Sequence, residues 1–357
     1  MAGGDGMIGG LSLRLRRFLN EEANQWAYNR QRIASRGRAV VFQVELTNHC
    51  PMRCRMCPRT HRMSRPLGYM SREVYERIVD QATASTSRMF LHHFGDSLMH
   101  PGIGDHISYA SGRGIQAYLS ANPVLLTEKR SRALVKSGLH ELVLSLDGVT
   151  AETSALVRGR AAADVDLAER RIKTLLDVRE ALGSATPRVI LQIVRQRQNM
   201  HEVEAWLAKW RQEPRIDRLK VKQFITWDGR DEAINELRPD AEPVKPRAVV
   251  CDKPWTSVTV LWDGTVVPCC YDFDALNPLG DVTRQTLDEI WHGERVKALR
   301  RAHRDDDLAG VRLCARCTDK EGYPVRKPYY PLNRLLQRSN ALGDEWKPAD
   351  GGTDGVQ

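Results

Sequence analysis

The sequence predicts an α/β fold: a run of parallel strands alternating with helices, then a small hairpin-plus-helix module. Three observations carry this. Between Val40 and Phe224, short runs rich in Val, Ile, Leu and Phe alternate with longer segments at helical spacing. The connections between those runs are long enough for right-handed crossovers, which parallel pairing requires. After residue 248 the pattern changes to two short apolar runs around Asp263-Gly264, flanked by cysteines. Six strand–helix units are too few to close an eightfold barrel. The sheet is therefore either open or an incomplete barrel.

The elements follow in order. Residues 1–37 form a basic amphipathic helical extension, with Leu11, Leu13, Leu15, Phe18 and Leu19 on the apolar side and Arg14, Arg16 and Arg17 opposite. Glu21 and Glu22 interrupt the apolar face, so it reads as a helix covering one end of the main domain rather than a membrane-surface helix. Residues 38–227 hold the main domain, with strands expected at 40–46, 88–94, 115–120, 141–147, 188–195 and 218–224. Helical patterns fall at 71–84, 103–113, 127–137, 164–183 and 202–213, where Ser71 and Thr127 are placed as N-caps. Residues 228–248 are acidic, contain proline and lack apolar periodicity, so they read as a linker. Residues 249–335 form the small module, and 336–357 a disordered tail.

The chain has 357 residues, 28% of them charged and 41% hydrophobic, the balance of an ordinary soluble enzyme. No stretch approaches the ~20 consecutive apolar residues of a membrane span. The N-terminus lacks the layout of a secretion signal, and the eight cysteines are clustered rather than spread as a disulfide framework. Both point to a cytoplasmic protein. The net charge of +9 is distributed along helices without a polybasic block interleaved with aromatics, which argues against nucleic acid as partner.

Cys50, Cys54 and Cys57 are spaced C-x3-C-x2-C directly after the first apolar run. Iron–sulfur clusters normally take four thiolates. Here only three are local, and no further cysteine follows until Cys251. One iron is thus left open to a small molecule. Zinc, the competing metal, usually closes with four protein ligands, and only His49 and His61 are near. The segment Glu45-Leu46-Thr47-Asn48-His49-Cys50-Pro51-Met52-Arg53-Cys54-Arg55-Met56-Cys57-Pro58 resembles the cluster loop of radical S-adenosylmethionine (SAM) enzymes. That resemblance implies an incomplete six-unit barrel and a 4Fe-4S cluster whose open iron binds SAM. It also implies cleavage of SAM to methionine and a 5′-deoxyadenosyl radical. Met56 stands where the family often has an aromatic residue near the adenine.

Cys251, Cys269, Cys314 and Cys317 make a four-thiolate set around the hairpin and a helix near 286–303. A module this small gains stability from a metal. It resembles the twitch module, a shortened SPASM extension, in Gly264–Cys269 and in Gly280-Asp281-Val282 followed by Leu287-Asp288-Glu289-Ile290-Trp291. The resemblance implies a second, auxiliary 4Fe-4S cluster. A structural zinc is the alternative that four thiolates leave open. Cys270 remains over: a small buried residue, the ligand in place of Cys269, or a hydrogen-atom donor.

For SAM the resemblance directs attention to strand ends. Gly95, Asp96 and Ser97 follow the second strand, Ser120 and Asn122 the third, and Ser145 and Asp147 the fourth. Gln192 and Phe224 belong to the fifth and sixth. Arg158, in a glycine-containing loop with Arg160, could clamp the SAM carboxylate or a polar substrate.

One open and one auxiliary cluster resemble the aminocyclitol dehydrogenases of antibiotic biosynthesis, of the 2-deoxy-scyllo-inosamine dehydrogenase type. The implied reaction removes a carbinol hydrogen from a small polyhydroxylated substrate and passes an electron to the auxiliary cluster. A donor such as flavodoxin or ferredoxin would reduce the first cluster. Competing expectations are an epimerase with Cys270 as donor, a sugar-acid decarboxylase, a peptide-modifying enzyme, and a non-enzymatic protein with two zinc sites.

Overall fold

The computed structural model describes residues 12–227, 229–239 and 250–317. Strands β1 (Val41–Val44), β2 (Arg88–Phe90), β3 (Gln116–Ala121), β4 (Glu141–Ser145), β5 (Arg188–Val194) and β6 (Arg218–Lys222) pair in parallel, each with its sequence neighbour. This is the incomplete six-unit barrel. Its strands are shorter than expected at most ends, although trimmed residues such as Leu46, Leu91 and Leu146 stay buried in the segments that follow. Buried residues of the strands and of the outer helices form one continuous core, with Ile78, Ile107, Leu134, Ile172 and Trp206 covering Val44, Leu119, Leu142 and Leu191. Ser71 and Thr127 do cap their helices, accepting from the amides of Val74 and Arg130.

The small module does not stand apart. Strand β7 (Val258–Val260) pairs in parallel with β1, and β8 (Thr265–Val267) and β9 (Gly280–Asp281) continue antiparallel. One nine-stranded sheet results, ordered β6-β5-β4-β3-β2-β1-β7-β8-β9. The turn between β7 and β8 needs Gly264, whose φ is +93°. The helix expected near 286–303 is two, Leu287–Trp291 and Glu294–Arg304, broken at Gly293.

The N-terminal helix Leu13–Asn29 departs from its expected orientation. Arg17, placed by pattern on the solvent side, is buried and donates to the carbonyls of Thr83, Gly114 and Arg113. Leu15 and Leu19 are exposed instead. Carbonyl acceptors at loop ends satisfy the guanidinium, which outweighs the periodicity of a few leucines. At its other end Tyr28 donates to the Val250 carbonyl, and Trp255 reaches back to Arg32. The helix therefore straps the barrel to the module. Arg300 strengthens this seam: fully buried, it donates to Pro254 and Ile33 carbonyls and lies over the Trp291 ring. The linker expectation lies partly, and the tail expectation wholly, outside the described residues. No helix among the described residues is long and apolar enough to cross a membrane.

Candidate functional site

The cysteine loop leaves the C-terminal end of β1 and is held on three sides. The amides of Arg53 and Arg55 donate to the carbonyls of Arg158 and Val157, at the end of the helix Ala151–Arg158. Arg59 donates to the carbonyls of Asn48 and Cys50, tightening the loop from below. The Asp96 amide donates to the His49 carbonyl. Gly95 is required there, because a Cβ would lie 2.7 Å from Asn48 Cα and closer still to the Thr47 oxygen.

Cys54 is buried and Cys50 and Cys57 half-buried, near enough that each thiol's charge is felt by its neighbours. Burial pushes the thiols of Cys50 and Cys57 up to about 12 and raises that of Cys54. Three converging thiols in an apolar pocket will ionise readily only around a cationic centre, which is what an iron–sulfur cluster offers. The donor set therefore fits a three-thiolate cluster. Met52, Met56, Val157, Val194 and Phe224 wall it. The Arg158 guanidinium pairs with the buried Asp147 carboxylate and lies 3.8 Å from Cys54 Sγ. Burial alone would weaken its charge, but Asp147 and Cys54 more than reverse that, so Arg158 stays cationic beside the loop.

The structure brings the candidate SAM residues to this one end of the barrel, but several are engaged within the chain. Ser97 is buried and gives its hydroxyl proton to the Leu91 carbonyl. The Asp96 carboxylate accepts from the amides of Leu98 and Asn122, and burial raises its pKa to about 6. Asn122 caps the turn Pro123–Leu125 through Val124. Asp147 also accepts from the Val194 amide. Arg158 ends a helix rather than lying in an open loop. Ser145 and Gln192 touch at 3.5 Å, and Ser120 gives its amide to His92 Nδ1. Met56 Sδ meets Gln196 Nε2 at 3.8 Å, and its carbonyl accepts from Trp227 Nε1.

The second constellation is a pocket of about 660 Å³, including its open mouth, in which Cys251, Cys269, Cys270, Cys314 and Cys317 all participate with Phe42, Lys253 and Tyr271. Burial raises the Cys251 thiol to about 12 and Cys269 well above the ordinary range. All five cysteines line this one pocket, one more than a four-thiolate cluster takes.

A set of buried hydrogen bonds joins the end of β1, from which the first cysteine loop runs, to the backbone beside the second cysteine pocket. Glu45, fully buried at the end of β1, accepts from Arg65 at 2.9 and 3.0 Å and lies 3.2 Å from His93 Nδ1. His93 Nε2 sits 2.9 Å from the Cys270 carbonyl, and Arg65 Nε donates to the Phe273 carbonyl. Phe94, Phe273, Trp227 and Tyr271 form a run of ring contacts at 5.0–5.5 Å. One signal was available: an acid inside an apolar strand run must find a buried partner.

Comparisons with known proteins agree with this geometry. Residues 44–208 match the radical SAM superfamily, and residues 251–318 match the SPASM iron–sulfur cluster-binding domain. The chain carries a radical SAM domain followed by a SPASM domain. It is 25% identical, over 71% of its length and 80% of the relative's, to the tungsten-containing aldehyde ferredoxin oxidoreductase cofactor-modifying protein of Pyrococcus furiosus. Among solved structures, the fold is shared with BtrN in complex with AdoMet and 2-DOIA (TM-score 0.50, 17% identity, covering 80% of this chain and 97% of that one). It is shared also with Streptococcus suis SuiB bound to precursor peptide SuiA (TM-score 0.57, 14% identity, covering 73% and 66%). The radical SAM domain implies a 4Fe-4S cluster and SAM, and the SPASM domain implies auxiliary iron–sulfur clusters.

Proposed function

We propose that this radical SAM enzyme oxidises a carbinol of a small polyhydroxylated substrate to a ketone. Bound at the two sites, the clusters supply one-electron chemistry: reductive cleavage of SAM at the open one and an electron sink at the closed one. The observation that carries the reading is that both cysteine sets hang on one sheet, the first loop following β1 and Cys269-Cys270 following β8, with Glu45 at the end of β1 hydrogen-bonded through His93 to the Cys270 backbone. In this reading a substrate radical formed near the first site would pass its second electron to an auxiliary cluster held by the second cysteine set. Two electrons and two protons must leave a carbinol: one hydrogen atom goes to the 5′-deoxyadenosyl radical, and one electron and the hydroxyl proton follow. Cys50, Cys54 and Cys57 hold the SAM cluster in this reading. Cys251, Cys314, Cys317 and either Cys269 or Cys270 hold the other. Arg158 keeps a positive charge against the first loop, and Met56, Gly95, Gln192 and Phe224 frame SAM. The fold shared with a BtrN complex holding 2-DOIA is consistent with a small ring substrate.

The fifth thiol supports one alternative, an epimerase in which the spare cysteine returns a hydrogen atom. Anaerobic turnover with SAM and dithionite in deuterated water separates the two. A product two mass units lighter, without solvent deuterium, marks the dehydrogenase. An isomer carrying one deuterium marks the epimerase and overturns the oxidation.

A further inference from the structure

The outside of the first cysteine loop is built unlike its inside. Pro51, Arg53 and Arg55 are exposed, while Met52, Cys54 and Met56 between them are buried. The chain therefore passes the site as a thin wall, with a thiol and two thioethers on one side and two guanidinium groups on the other. Both arginines are direct neighbours of Cys54, about 3.8 Å from it between Cα atoms.

The helix Ala151–Arg158 widens this wall. The amides of Arg53 and Arg55 donate to the carbonyls of Arg158 and Val157, each at 3.1 Å. Gly159 comes so close that a Cβ there would lie 3.1 Å from the Cβ of Arg53. These contacts set Leu156, 45% exposed, and the exposed Arg160 beside the two loop arginines. Among the described residues, the guanidinium groups of Arg53, Arg55 and Arg160 make no hydrogen bond, ion pair or ring contact. The helix itself carries one acid, Glu152. One exposed leucine alone would mean little. Three unpaired cations around it, on the back of a metal loop, suit an anionic partner.

Position decides what kind of partner. Reductive cleavage of SAM takes one electron at the cluster behind this wall. A protein seated on Arg53 and Arg55 is separated from Cys54 only by the loop itself. A lipid surface would use the charges but gain nothing from that position.

We propose that Arg53, Arg55, Arg160 and Leu156 form the docking face for an acidic one-electron carrier protein, which is oxidised by one electron as the cluster behind the loop is reduced by one. This rests on Cys50, Cys54 and Cys57 holding the SAM cluster. Arginine is enriched at protein contact sites, and complementary charge speeds encounter and fixes orientation.

The test uses anaerobically reconstituted full-length protein with SAM, and a flavodoxin and a plant-type ferredoxin as acidic probes. In calorimetric titration at least one carrier should bind, about tenfold more weakly to Arg55→Glu and to Arg160→Glu and several-fold more weakly to Leu156→Ser. Wild-type binding should weaken several-fold as salt rises from about 50 to 300 mM, because screening shortens the reach of the charges. For each variant, 5′-deoxyadenosine formation with subsaturating reduced carrier is divided by that with dithionite, so a defect in the cluster itself cancels. This ratio should fall at least fivefold in the charge variants. If Arg55→Glu loses iron, Arg160→Glu and Leu156→Ser, which lie outside the loop, decide. Affinity and ratio unchanged in both of these, or carriers that neither bind nor drive cleavage where dithionite does, overturn the proposal. Binding to phosphatidylglycerol vesicles that is lost in the same variants while carrier affinity stays intact gives the face to a membrane and overturns it too. Absence of cleavage even with dithionite sinks the reading of the first cysteine site, and this inference with it. Cleavage with dithionite that is accompanied by no effect of the substitutions sinks this inference alone.

Discussion

Arg65 Nη2 lies 2.9 Å from Glu45 Oε1, and both side chains are almost wholly removed from solvent. The pair joins the segment after the first cysteine loop to the end of β1, and through Phe273 to the SPASM domain. Buried pairs of this kind add little beyond an apolar replacement, but breaking one strands an uncompensated charge. Arg65→Met should therefore cost about 3–5 kcal/mol. Adding Glu45→Gln should recover a large part of that loss. Urea unfolding of the single and double variants checks both statements, and additive losses would contradict them.

The same carboxylate sets an acid dependence. Burial would raise its pKa, but His93 and Arg65 outweigh burial and hold Glu45 at about 2, below its ordinary 4.5. The folded-state pKa is depressed, so this contribution is fully present above pH 4.5 and is lost as pH falls from there toward 2. Glu45→Gln should flatten the decline in urea midpoint of the apo-protein between about pH 5 and pH 3. An unchanged slope would mean that other carboxylates govern acid unfolding.

The sequence was most readable where chemistry and local geometry coincide. The C-x3-C-x2-C spacing, the caps at Ser71 and Thr127 and the Asp263-Gly264 turn are all decided by neighbours in the chain. What stayed hidden is long-range. That β7 pairs with β1 cannot be seen from either strand, because two apolar runs so far apart in the chain carry no mark of each other. Arg17 and Arg300 were illegible for a related reason: backbone carbonyls from distant loops solvate them, and carbonyls have no sequence signature. At the site, the resemblance directed attention to Asp96, Ser97 and Asp147 in the segments after β2 and β4. It could not show that their side chains already had partners.

The two cysteine sets should be separable by iron count. Reconstituted wild-type protein should bind about eight irons, and Cys54→Ala should retain about four while losing SAM cleavage. Cys251→Ala should also retain about four but still yield 5′-deoxyadenosine. Between the adjacent thiols, the one whose serine variant loses the auxiliary iron is the ligand. Equal retention in Cys269→Ser and Cys270→Ser would show that the two thiols substitute for each other.

Gly95 offers a steric test of how closely the β2 loop must approach the cysteine loop. A methyl there meets backbone on the facing segment, Thr47 and Asn48, with no flexible side chain to move aside. The Asp96 amide bond to the His49 carbonyl is made from this same contact. Gly95→Ala should therefore destabilise by about 2–4 kcal/mol and lower SAM cleavage at least tenfold. Gly112, at the end of the helix Ile103–Gly112, has open space where a methyl would sit, with nothing within 4 Å. Gly112→Ala should be neutral or stabilise by up to about 1 kcal/mol, since it restricts the unfolded chain without a clash. If both alanines behave alike in thermal unfolding and in 5′-deoxyadenosine yield, the close approach at Gly95 is not what positions the loop.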